Sequence, residues 1–101
     1  MAILVSRTDQ GDRTLLAIAG SLDALTAAEV MPSVDNIIDD RRREVVVDIA
    51  GLDLIDSSGV AVLVSLYKRL RARGGKVSVT GARDQPLSIF KLLRIDRVFF
   101  L

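Results

Sequence analysis

The chain has 101 residues, half of them hydrophobic and 27% charged, with 14 basic against 13 acidic side chains for a formal net charge of +1. That length supports one domain with a modest core, and that balance describes neither a disordered tail nor a polycation suited to nucleic acid. With no cysteine and no histidine, disulfides, thiolate nucleophiles, Cys-based zinc sites, a Ser-His-Asp triad, a His metal cluster and a His phosphorelay are excluded together.

The opening "MAILVSRTDQ" lacks a basic region followed by an apolar stretch of signal-peptide length. No apolar run approaches the roughly 20 residues of a membrane span. A cytoplasmic location without a membrane partner is expected. "AILVSR" is short and β-branched, and "GDR" at Gly11 to Arg13 turns the chain into "TLLAIAG", which predicts a β-hairpin. From Asp23 to about Asp39, Leu25, Val30, Val34, Ile37 and Ile38 fall near helical spacing, with Asp23 placed to cap the start. Pro32 inside that pattern predicts a kink or a helix that restarts there. The "RRR" at 41–43 follows as basic charge at the negative end of the helix dipole, with a solvated face as the plain reading.

"EVVVDIA" is a continuous β-branched run, the pattern of a central strand buried on both faces. After "DLIDSSG" at 53–59, Val60, Leu63, Val64, Tyr67 and Leu70 repeat at helical spacing until "RGG" at 73–75 stops the helix. "KVSVTG" alternates like a strand. "DQPLSIFKLLR" carries Asp84 as a cap, Pro86 in the first turn and Leu87, Phe90 and Leu93 on one face, before a strand-like "RVFF". The expected order is β-β-α-β-α-β-α-β, an α/β fold whose sheet is mostly parallel after the hairpin and packed against helices, in one domain spanning 1–101.

In such a sheet the loops beyond the carboxyl ends of parallel strands gather functional groups, and Asp56, Ser57 and Ser58 fall there. The plain alternative is a helix cap worth about 1 kcal/mol. A nucleophile elbow requires Gly-x-Ser-x-Gly and a base, and a phosphate loop requires several glycines and a lysine; "DSSGVAV" supplies neither. Asp48, Asp53 and Asp56 are candidate ligands for a hard cation, against the commoner use of such carboxylates on local backbone. A serine at an exposed helix N-terminus suits one further role, as a phosphate acceptor. The helix end tolerates a dianion, while a partner packed on the loop does not. Val62 points outside the Val60/Leu63/Val64/Tyr67 stripe, beside Ser65 and Arg69, and is expected to be an exposed valine of the kind a partner covers.

At these residues the sequence resembles the STAS domains, in particular the single-domain bacterial anti-anti-sigma factors. The matching core is "VVVDIAGLDLIDSSGVAVLVSLYKRLRARGGKVSVTG" from Val45 to Gly81, with weaker matches in "IAGSLDALTAAEV" and "IFKLLRIDRVF". The resemblance implies a non-enzymatic binding module without a cofactor or metal, in which Ser57 is phosphorylated by a partner kinase and Ser58 is its neighbour. The implied partners are a GHKL-type serine kinase that doubles as the anti-sigma factor and a PPM-type serine phosphatase that resets the mark. Asp23, Thr26, Asp56, Ser58, Gly59 and Val62 are the positions expected to face the partner. A scaffold subunit of a larger assembly, with no phosphoswitch, is the alternative. The chain departs from the family pattern at Pro32, at Arg94 where a glycine often ends the last helix, and at Leu101, where it stops before the tail many members carry, leaving "VFFL" as an expected exposed apolar patch.

Overall fold

The computed structural model describes residues 3–99. Strands β1 (Ile3–Gln10) and β2 (Arg13–Leu22) form the expected antiparallel hairpin, closing at the Gln10/Arg13 pair. The two-residue turn has a positive φ at Gly11 and none at Asp12, the type II′ pattern that follows the strand twist. β2 is the organising strand. Parallel β3 (Glu44–Asp48) pairs with its first half, from Arg13 to Ala17, and parallel β4 (Leu52–Ile55) with its second, from Gly20 to Leu22. β5 (Lys76–Thr80) adds parallel to β3, giving the order β1-β2-β3-β5 with β4 on β2.

Helices α1 (Ala27–Asp39), α2 (Ser57–Arg71) and α3 (Asp84–Leu92) complete the fold. Alternation along the strands sends Leu16, Ile18, Val45, Val47, Val77 and Val79 into the core, where they meet Val30, Val34 and Ile37 of α1 and Leu63, Leu66 and Leu70 of α2. Each fully buried aliphatic side chain of this kind stabilises the fold by about 2 kcal/mol relative to exposure. All three helices end alike. The amide just after a left-handed residue bonds back to the carbonyl five positions earlier, in Arg42 to Ile37 (3.3 Å), Gly75 to Leu70 (2.9 Å) and Ile95 to Phe90 (3.0 Å). The left-handed residue this requires is Gly74 in α2, as "RGG" predicts, but Arg41 (φ 57°) in α1 and Arg94 (φ 59°) in α3.

Five expectations are corrected. β4 occupies part of what reads as loop: the chain turns at Gly51, where a Cβ would sit 2.9 Å from the Cβ of Ala19, and re-enters the sheet along β2. β3 is covered on one face only, with Val45 and Val47 buried and Val46 half-buried between them, because all-apolar patterning does not require helices on both sides. α1 runs through Pro32 without restarting; Pro32 and Ala28, whose carbonyl loses its amide partner, are both exposed, so water replaces the bond. The "RVFF" segment is turn rather than strand, so the order ends at α3. Phe99 is fully buried against Phe90 and Tyr67, and its carbonyl accepts from the Val79 amide (2.9 Å) on the edge of β5. The rest of "VFFL", Phe100 and Leu101, lies outside the described residues.

Candidate functional site

Pairing of β2 with β4 brings two loops together, since Leu22 and Ile55 are register partners and each is followed at once by an acidic turn. After Ile55 the chain leaves the sheet at Asp56, whose amide donates to the Leu22 carbonyl (3.2 Å). Asp56 has extended dihedrals (φ −114°, ψ −171°) and caps α2, its Oδ1 accepting from the Gly59 amide at 3.1 Å. Its carboxylate is thus committed to the helix start. Ser57 is the first helical residue and is exposed, while Ser58 is half-buried. The first two amides of a helix have no partner within it, so Ser57 sits where free N–H groups and the positive dipole end face outward.

Gly59 sets how closely α2 rests on the sheet. A Cβ there would lie 2.6 Å from the Leu22 carbonyl oxygen and 2.7 Å from Ile55 Cγ1, so only glycine permits this approach. A residue from outside the motif fixes the strand before it. Gln85 of α3 accepts from the Ile55 amide through Oε1 and donates from Nε2 to the Ile55 carbonyl, both at 2.9 Å, pairing β4 as a neighbouring strand would. Nothing in "DQP" distinguishes this glutamine from a surface residue; its partners are 30 positions away.

The adjoining loop is an Asx-type turn. Asp23 Oδ1 accepts from the amides of Leu25 (2.9 Å) and Thr26 (3.1 Å), and the Thr26 hydroxyl donates to the Ser21 carbonyl (2.7 Å) while accepting from the Asp23 amide (3.0 Å). Asp23 therefore caps this turn, and α1 begins only after Thr26. Thr26 is itself 4% exposed, so it shapes the loop rather than offering surface. What the turn displays is Leu25, 86% exposed, an apolar side chain the helical reading of 23–39 assigns to the core.

Val62 is corrected in the same way. It is 4% exposed, because the face α2 buries is Gly59, Val60, Val62, Leu63, Leu66 and Leu70: Val60, Leu63 and Leu70 are buried as predicted, Val62 and Leu66 join them, and Val64 and Tyr67 are half-buried, as the helix also packs on α1. The outward face carries Ala61, Val64, Ser65, Lys68 and Arg69, which line an open groove of about 390 Å³. These positions follow Ser57 at helical spacing, so serine and groove form one stripe. Arg69 reaches Asp35 of α1 at 2.8 Å and ties the two helices beneath it.

Among the described residues neither Ser57 nor Ser58 hydrogen-bonds a side chain able to act as a general base. Asp48, Asp53 and Asp56 do not converge: Asp48 accepts from the Ala50 amide (3.0 Å), Asp56 caps α2, and no group of three or more metal-ligating side chains occurs among the described residues. No helix among them is long and apolar enough to cross a membrane.

Comparison with known proteins gives a consistent result. The family model for the STAS domain matches residues 4–101. The anti-sigma F factor antagonist of Paenibacillus polymyxa is 32% identical over 86 residues, covering 84% of this chain and 71% of that protein. Among solved structures, an anti-sigma factor antagonist from Mycobacterium paratuberculosis superposes with a TM-score of 0.85 at 19% identity, over 97% of this chain and 83% of that one. The Bacillus cell fate determinant SpoIIAA in its phosphorylated form does so with a TM-score of 0.72 at 17% identity, over 96% and 99%. The arrangement of α2 on a mostly parallel sheet is thus a shared one, and the chain belongs to the STAS domain family.

Proposed function

We propose that this chain is an anti-sigma factor antagonist that works by partner switching. In its unphosphorylated form it binds a GHKL-type serine kinase that is also an anti-sigma factor; phosphorylation of Ser57 releases the complex, and a PPM-type serine phosphatase resets it. The observation that carries this reading is the placement of Ser57: exposed, first in α2, and heading the groove-bearing stripe of that helix. Its support is threefold. The relatives bear the name antagonist, a protein of this fold has been solved with a phosphate in place, and the site holds no catalytic base. The protein acts by binding, not by turnover, and its site is the α2 stripe with the Leu25 turn beside it.

The physics of the switch follows from the cap. A phosphate on Ser57 gains from the free amides and the helix dipole, so α2 stays folded. A partner packed on Ser57, Ala61 and Val64 must strip water from about two negative charges next to the Asp56 carboxylate. A penalty of about 3–4 kcal/mol weakens the complex by two to three decades, enough to release it at ordinary concentrations.

The test is a pull-down from the native host with wild type, Ser57→Ala and Ser57→Asp, read by mass spectrometry for partners and for phosphate on Ser57 and Ser58. The expected result is capture of a kinase by Ser57→Ala, and loss of that kinase with Ser57→Asp. Identical partners for all three forms, with no phosphate on either serine, would instead leave "DSSG" as a helix cap in a scaffold subunit.

A further inference from the structure

At the opposite end of the parallel strands, Arg41, Arg42, Arg43 and Arg73 line a cavity of about 380 Å³ with Gly75. We propose that this pocket binds a small ligand through a pyrophosphate or longer polyphosphate group. The two rims come together because the Lys76 amide donates to the Arg43 carbonyl (2.8 Å), and because Gly75 leaves room there: a Cβ would sit 2.8 Å from that oxygen.

Two of the four guanidiniums are held in place by neutral oxygens. Arg42 donates to Thr14 Oγ1 (2.7 Å) and to the Arg13 (3.1 Å) and Gly11 carbonyls, and Arg73 donates to the Ile38 carbonyl. These bonds orient the groups without neutralising them. The nearest carboxylate to Arg42, Asp9 at 4.0 Å, is already bound by Arg7 at 3.0 Å. The other two, Arg41 and Arg43, are exposed and make no side-chain hydrogen bond or ion pair among the described residues. The lining holds four cations and no carboxylate, and a planar fork of N–H donors is the group that grips phosphate oxygens bidentately.

Arg41 holds a left-handed backbone (φ 57°) at the end of α1, as Gly74 does in α2 (φ 76°) and Arg94 in α3 (φ 59°), and of the two arginines Arg41 is the one that lines this pocket. The lining has no aromatic ring to stack on a base, so recognition runs through phosphate oxygens, and the volume admits a phosphorylated metabolite rather than a nucleic acid strand.

The probe is inorganic pyrophosphate, titrated calorimetrically into the full chain at low ionic strength, with sulfate as the comparison and amide shifts as the map. Expected are saturable one-to-one binding, at least tenfold tighter than sulfate, and shifts confined to 41–43 and 73–75. The Arg41→Gln/Arg43→Gln double variant, which touches no intramolecular partner, should bind at least tenfold more weakly. Arg41→Gly should also bind more weakly while melting no lower than wild type, which separates lost contact from lost fold. Binding that does not saturate, that sulfate matches, or that the double variant retains would overturn the proposal.

Discussion

The carboxylates at one end of the parallel strands and the guanidiniums at the other make bonds of different reach. At the carboxyl end, Asp56 bonds Gly59 and Asp23 bonds Leu25 and Thr26, all within three residues. At the amino end, Arg42 spans 28 to 31 positions to reach Thr14, Arg13 and Gly11, and Arg73 spans 35 to reach Ile38. Short-range carboxylate caps preset a loop and leave its serine free. Long-range guanidinium bonds instead staple the hairpin and the end of α1 to the helices, concentrating charge that the fold itself does not cancel. One end is thus built to present a group and the other to receive one.

The difference is tested most sharply by substitutions that break one end and spare the other. Gly59→Ala has the largest expected effect. Its methyl group meets a backbone oxygen at 2.6 Å and two core side chains at 2.7 Å, so α2 must lift from the sheet even though alanine favours helix by about 1 kcal/mol. A net loss of about 2 kcal/mol is expected, lowering the melting temperature by about 10 °C. Amide exchange should accelerate in β4 and the first turn of α2 before it does in the hairpin. Arg42→Ala should do the converse at about 1.5 kcal/mol, from charged hydrogen bonds to the hairpin turn. Protection should fall at Gly11 to Thr14 while α2 is unchanged. Equal loss of protection at both ends in either variant would mean that the molecule opens only as a whole.

The same contrast explains what is legible in the sequence. The carboxyl-end motif is local, so "DSSG" reads correctly as a capped helix start with an exposed serine, and the hairpin, the presence of three helices and "RGG" follow from turn chemistry and period, while the expected caps Asp23 and Asp84 give way to Thr26 and Arg83 at the N-cap positions of α1 and α3. Several misread features depend on partners far along the chain. β4 is four residues whose pairing exists only because β2 extends past β3, and Gln85 gains meaning only from Ile55. Val62 is buried because packing on α1 widens the face that α2 must cover. "RRR" has the composition of a solvated run, and only the approach of Arg73 and Gly75 turns it into a pocket.

The smallest expected effect concerns acid. The Asp9 carboxyl is held below its ordinary value of 3.8, chiefly by the hydrogen bond from Arg7 and further by Thr14 and the charges of Arg7 and Arg42, which together outweigh partial burial. A carboxylate whose folded value is depressed stabilises the fold above its unfolded value, and that contribution is lost as pH falls through the folded one. Asp9→Asn should therefore flatten the loss of melting temperature on acidification below about pH 4, with only a slight cost at neutral pH because the group is exposed and screened. Because Asp9 also faces Arg42, its protonation leaves the arginine end with still less negative charge. Pyrophosphate affinity in Asp9→Asn should then equal or exceed that of wild type at neutral pH. A weaker affinity would mean that Asp9 serves the pocket by orienting Arg42 rather than by opposing its charge.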